Sequence, residues 1–245
     1  MLQGKVALVT GAGRGVGRAC AEAFTREGAQ VALLGRSREP LEDLAKSLAG
    51  AYPVVADVGQ PEDVDRAFGE IERQLGPVDV LLNNAGILGP PELVADVDPH
   101  AWAETYRVNV WGAMLCAQRA LPSMIQRRQG KIINVSSGAA LVPIAGYTAY
   151  SSSKAALLHF SVCLAEEVKA HGINVNCVGV WARTDMWEDQ LRWQPMPAVE
   201  DAASKGQNPT AGENVGAILF LASAASDHLT GQYLAANSLP DYLRR

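Results

Sequence analysis

Residues 5–17 read KVALVTGAGRGVG. Val6-Ala7-Leu8-Val9 is a short apolar run that stops at glycines, the pattern of a buried strand. The turn that follows, from Thr10 to Gly17, has glycines at 11, 13, 15 and 17. Helical spacing begins just beyond it. A glycine-rich turn between a buried strand and a helix lets the backbone bend tightly and approach a pyrophosphate at the helix N-terminus. Glycines alone also serve any tight turn, so the position of this turn is what favours a dinucleotide site.

Outward from that stretch the chain alternates strand and helix. Apolar runs predict strands over 5–10, 30–35, 52–56, 78–82, 131–135, 173–178 and 232–235. Helical spacing, Pro near helix starts and Gly after helix ends predict helices over 18–27, 40–49, 61–75, 98–128, 150–170 and 212–223. Pro122 is expected to kink the longest of these. The alternation predicts an α/β Rossmann fold, a doubly wound parallel sheet of about seven strands with helices on both faces. One domain over 1–245 is expected. The irregular stretch 179–211 is too long for an ordinary connection and reads as a substrate loop or lid.

The end of the second strand bears on cofactor choice. A carboxylate there holds a ribose 2′-hydroxyl, but residues 34–38 read LGRSR, with no acid. Arg36, and Arg14 inside the glycine turn, suit a 2′-phosphate through charge-assisted bonds, so NADP(H) is expected over NAD(H). Either arginine alone reads equally well as a solvated surface charge.

Tyr150 and Lys154 stand at i and i+4 on one predicted helix face. An ammonium beside a phenol lowers the phenol pKa from about 10 and fits it to exchange a proton with an alkoxide. An isolated Tyr-Lys pair at this spacing is usually a surface contact. Here Ser136-Ser137 ends the fifth strand, where such sheets present ligand-contacting groups, and a hydroxyl there can bond a substrate oxygen.

The whole-chain balance narrows the field. Lys+Arg 21 against Asp+Glu 26 gives a net charge of −5, with no basic block, which argues against nucleic acid and anionic membranes. No apolar run reaches the roughly 18 residues of a membrane helix. The four cysteines are scattered, so neither a metal site nor a disulfide framework is expected, and a reducing, cytoplasmic setting is.

Together these residues resemble the core form of the short-chain dehydrogenase/reductases, over nearly the whole chain. They resemble NADP-preferring members such as 3-oxoacyl-carrier-protein reductases and related carbonyl reductases. The resemblance implies that Gly11, Gly13, Arg14, Gly15, Val16 and Gly17 cradle the cofactor. Arg36 would meet its 2′-phosphate, and Asp57-Val58 its adenine. Asn84-Ala85-Gly86, from an N-N-A-G signature at 83–86, would lie along it. Ser137, 13 residues before Tyr150, falls at the usual place of the catalytic serine. Tyr150 would exchange the proton. Lys154 would lower the Tyr150 pKa and hold the nicotinamide ribose, and Asn109 would steady a relay water. The family also implies a homo-oligomer, dimer or tetramer.

Two motifs depart from the pattern. The usual Pro-Gly after the sixth strand is missing, so Gly179-Val180-Trp181 is expected to make that turn, with Thr184 aligned to the threonine that meets the carboxamide. The usual V-D-G-G near the C-terminus is also missing. Trp181, Met186, Trp187, Trp193 and Met196 form either an apolar substrate pocket or the packing of a long loop or a subunit contact. The expected activity is hydride transfer between NADP(H) and a ketone or secondary alcohol. The alternatives are a non-catalytic NADP-binding sensor or interaction protein, and an epimerase or dehydratase of the same fold.

Overall fold

The first strand, β1 (Val6–Thr10), is buried along its whole length. Its side chains feed two cores, Ala7 and Val9 on one face and Val6 and Leu8 on the other. A strand covered on both faces needs a continuous apolar run, which is how this one reads. The computed structural model describes residues 1–182, 186 and 210–236.

After β1 come α1 (Gly15–Arg26), β2 (Gln30–Gly35), α2 (Arg38–Ser47), β3 (Ala51–Val55), α3 (Pro61–Gln74) and β4 (Val80–Asn83). Then follow α4 (Pro99–Tyr106), a π-helical segment (Arg107–Trp111), α5 (Gly112–Arg127), β5 (Gly130–Ser137), α6 (Thr148–Val168), β6 (Ile173–Val180), α7 (Val215–Ala222) and β7 (Tyr233–Ala235). The described strands form one sheet in the order β3-β2-β1-β4-β5-β6-β7, all parallel. Helices α1, α2 and α7 pack on one face through Phe24, Leu41, Leu44 and Ile218. Helices α3, α5 and α6 pack on the other through Phe68, Ile71, Met124 and Leu164. Burying a side chain such as Phe24 or Phe68 stabilises the fold by about 1.5–3 kcal/mol. The strand order reverses between β1 and β4, and such sheets hold ligands at the carboxyl ends beside that reversal.

Three expectations change. Helix α1 starts at Gly15 rather than 18. Glycines have poor helix propensity, but a Cβ on Gly17 would collide with the Gly11 carbonyl oxygen and come within 2.6 Å of Asn84 Nδ2. The long helix over 98–128 is interrupted at Arg107–Trp111, while Pro122 lies inside α5 without ending it. Asn109 sits in the middle of that interruption, turned inward. Finally, Gly179 and Val180 do not form a turn. They continue β6, pairing with Ser136 and Ser137. A bare backbone suits Gly179 there, because a Cβ would meet the Tyr233 side chain of β7. Of the expected lid over 179–211, residues 183–185 and 187–209 lie outside the described residues. That stretch includes Thr184, Trp187, Trp193 and Met196.

Candidate active site

The glycine turn is braced from behind by side chains of β1 and the loop after β4. Thr10 Oγ1 donates to Leu82 O (3.3 Å) and accepts from the backbone N–H groups of Asn84 and Ala85 (3.0 Å each). Asn84 Nδ2 donates to Thr10 O (2.9 Å) and Gly11 O (3.3 Å). Gly11 has φ +65, a left-handed conformation that glycine adopts without strain. Asn83, next to Asn84, turns away, donating to Asn134 Oδ1 (2.8 Å) and Ala113 O (3.2 Å) inside the core. Only part of the N-N-A-G signature therefore faces the cleft.

A cleft of about 560 Å³ runs from this turn across the strand ends. Gly11, Gly13, Arg14, Gly15, Val16, Arg36, Asp57 and Val58 line one end. Asn84, Ala85 and Gly86 line the middle, and Ser137, Tyr150 and Lys154 the other end. The groups widely separated in sequence are thus in one cavity. Its size, the bare backbone at Gly11, Gly13 and Gly15, and the α1 N-terminus, whose first turn holds no acid, fit a dinucleotide, whereas Gly17, expected to cradle the cofactor, lies off the cleft against Gly11 and Asn84.

At the far end the two adjacent serines divide the work. Ser136 is 2% exposed and its Oγ donates to the Lys154 carbonyl (3.0 Å), a bond inside the core. Ser137 Oγ faces the cleft, accepts from Ala139 N (3.2 Å) and hydrogen-bonds the Tyr150 phenol. Burial pushes the Tyr150 pKa up, and the Ser137 bond pulls it back in part. Lys154 Nζ lies 5.7 Å from the Tyr150 ring centre and donates to Val135 O (2.9 Å). Burial brings the Lys154 pKa down to about 8. The expected lowering of the Tyr150 pKa by Lys154 is not the dominant influence in this form. Desolvation of the phenol is larger, and the ammonium is held against a strand carbonyl.

Asn109 is buried beside this group. Its Oδ1 accepts from Ile87 N (2.8 Å), and its Nδ2 donates to Ile87 O (2.9 Å) and Ser153 Oγ (2.9 Å). A Cβ on Gly86 would come within 3.1 Å of Asn109 Oδ1 and 3.4 Å of Lys154 Nζ. The bare backbone there lets both groups approach the cleft. The sequence reading missed Ser153 and Tyr147, which lies in the cleft wall and is 1% exposed. Ser153 was within reach, since it stands inside the Tyr-Ser-Ser-Ser-Lys stretch.

Comparison with known proteins identifies a family. The family model described as short chain dehydrogenase matches residues 5–195. The chain is 34% identical to a 3-oxoacyl-acyl-carrier-protein reductase of Aquifex aeolicus, covering 96% of this chain and 97% of that protein. It is 33% identical to a 2,3-dihydro-2,3-dihydroxybenzoate dehydrogenase of Bacillus subtilis, covering 94% and 93%. Among solved structures, a short-chain type dehydrogenase/reductase from Mycobacterium marinum superposes with a TM-score of 0.88 at 32% identity, covering 98% of this chain and 97% of that one.

Proposed function

The chain belongs to the short-chain dehydrogenase family, and on that premise we propose that it moves a hydride between NADP(H) and a ketone or secondary alcohol. The observation that carries this reading is the Ser137–Tyr150 hydroxyl pair, with Lys154 behind it, in the same cleft as the glycine turn. The names of the two relatives, a keto reductase and a diol dehydrogenase, describe the two directions of such a reaction. The family binds a nicotinamide cofactor, which supplies the hydride acceptor or donor when bound.

This chain's own residues do the rest. Tyr150 gives its phenolic proton to the carbonyl oxygen in reduction and takes it back in oxidation. A phenol is protonated at neutral pH and burial favours that form further, so Tyr150 enters reduction with its proton in place. Ser137 holds the same oxygen and shares the Tyr150 proton. Lys154 uses one of its three N–H donors on Val135 O, leaving two for ribose hydroxyls and for charge beside Tyr150. Asn109 keeps Ile87 and Ser153 fixed, and so the spacing of Gly86 and Lys154. At the other end Arg36, with no acid beside it on β2, supports NADP(H) over NAD(H), and Arg14 lines the same cavity. Ile87, Leu88, Ile144, Tyr147, Trp181 and Met186 line the catalytic end, which supports a substrate with an apolar substituent.

The test is loss of NADPH absorbance against a panel of ketones, aldehydes and β-keto esters, repeated with NADH. Turnover of at least one ketone, faster with NADPH, is expected. Tight NADPH binding without turnover of any panel member would defeat the catalytic reading and favour a sensor.

A further inference from the structure

The π-helical segment runs beside the cleft, which it lines through Val108. Asn109 serves the catalytic end. Arg107, two residues earlier, reaches the end where Asp57 and Arg36 stand. Its guanidinium makes three bonds to carboxylates. Nε and Nη2 donate to the two oxygens of Glu104 (2.6 Å each), and Nη2 also donates to Asp57 Oδ2 (2.9 Å). Asp57 Oδ1 accepts from Gly59 N (2.9 Å), and Arg107 Nη1 is buried against Gly59. Next along, a Cβ on Gly112 would come within 2.7 Å of Val58. The 57–59 turn and the 107–112 segment are therefore clamped face to face.

Arg36 belongs to the same cluster. Ala56 N donates to Gly35 O (3.0 Å), so Arg36 and Asp57 leave neighbouring strands side by side, and both line the cleft. Arg36 is near enough to act electrostatically on both Asp57 and Glu104, more weakly than Arg107 does. Burial alone would raise the Asp57 carboxyl pKa, but the bonds from Arg107 and Gly59 hold it below its usual value. Two carboxylates and two guanidiniums sum to no net charge. Without Arg107 the group would be net negative, and both carboxylates would turn on Arg36.

We propose that Arg107 is a specificity-determining residue for the phosphorylated adenosine half of the cofactor. It acts by neutralising Asp57 and Glu104, so that Arg36 is left to meet a 2′-phosphate. The inference rests on the NADP(H) reading above. A 2′-phosphate brings roughly two negative charges, so a change of one unit charge beside it alters binding far more than for a ligand ending in a hydroxyl.

The test uses the full chain and two adenosine probes, 2′,5′-ADP and 5′-AMP, with dissociation constants measured by calorimetry at low salt. The ratio of the two constants is the readout, because a purely structural role for Arg107 would weaken both probes alike. In Arg107→Gln the preference for 2′,5′-ADP should fall by about tenfold, with 5′-AMP changing much less. Arg107→Lys keeps the charge and should restore part of the preference. Glu104→Gln removes a competing carboxylate from a half-exposed position and should raise the preference severalfold. If Arg107→Gln does not fold, Glu104→Gln decides, and an unchanged ratio there overturns the proposal. A preference in the unmutated protein that survives unmoved in Arg107→Gln overturns this inference alone. Equal binding of the two probes by the unmutated protein overturns the NADP(H) reading and this inference with it.

Discussion

At the glycine turn the cleft is lined by main chain, and the buried side chain behind it, Thr10, is neutral and bonded to its neighbours. The charges at that end, Arg14, Arg36 and the Asp57–Arg107–Glu104 group, remain exposed or half-buried. At the catalytic end the ionisable atoms are instead taken out of water. Lys154 is 4% exposed, and burial shifts both its pKa and that of Tyr150 toward their neutral forms. On the proposed reading one end would recognise by shape and screened charge, and the other would create reactivity by desolvation, which carries a cost in stability. Substitutions at the two ends should therefore separate binding from chemistry.

The largest separation is expected at Tyr150. Tyr150→Phe keeps the ring but removes the proton donor, so kcat should fall by at least about a hundredfold. Binding of NADPH, measured by fluorescence titration, should be nearly unchanged. If most of the turnover survived, the proton would have another source, and the division between the two ends would not hold.

At the opposite end, Arg36→Ala should act on affinity. Removing a charge-assisted phosphate contact typically costs about 1.5–3 kcal/mol, which is roughly a tenfold to a hundredfold weaker Kd for NADPH. The Kd for NADH should change little. Because Arg36 is exposed, added salt should weaken NADPH binding in the unmutated protein and have a smaller effect in the variant. The same Kd for NADPH in both proteins would remove Arg36 from the site.

Much of this was legible in the chain. The strand runs are continuous because both sheet faces are covered, and the Tyr150–Lys154 spacing survives as a helix face. Local signals failed where a distant partner decides the conformation. Residues 107–111 contain neither Pro nor Gly, and their interruption is tied to Asn109 bonding Ile87, 22 residues away. Pro122, expected to kink the helix, lies inside α5. Gly179 read as a flexible turn, yet it is a strand position kept bare for Tyr233. Arg107 matched no motif, because its meaning lies in Asp57, 50 residues earlier.

The smallest effect expected is on stability, and it tests desolvation directly. Lys154 has a folded-state pKa of about 8 against an ordinary value of 10.5. Below pH 8 both folded and unfolded states carry the charge, and the folded state bears the full burden of burying it. Between about pH 8 and 10.5 the unfolded chain binds more protons, so this contribution to stability rises with pH and levels off above 10.5. The shift corresponds to an upper limit of about 3 kcal/mol. Lys154→Met fills similar space without the charge but leaves Val135 O without its ammonium partner, which costs about 1–3 kcal/mol. Near pH 7 the variant should therefore be inactive yet close to the parent in stability, with a gain of at most about 2 kcal/mol. Urea unfolding at pH 7 and near pH 10 measures both proteins. The stability of the variant relative to the parent should decline as the pH rises, because only the parent is relieved of a buried charge. A difference that stays constant across that range would show that Lys154 is not held in the desolvated state on which the contrast between the two ends depends.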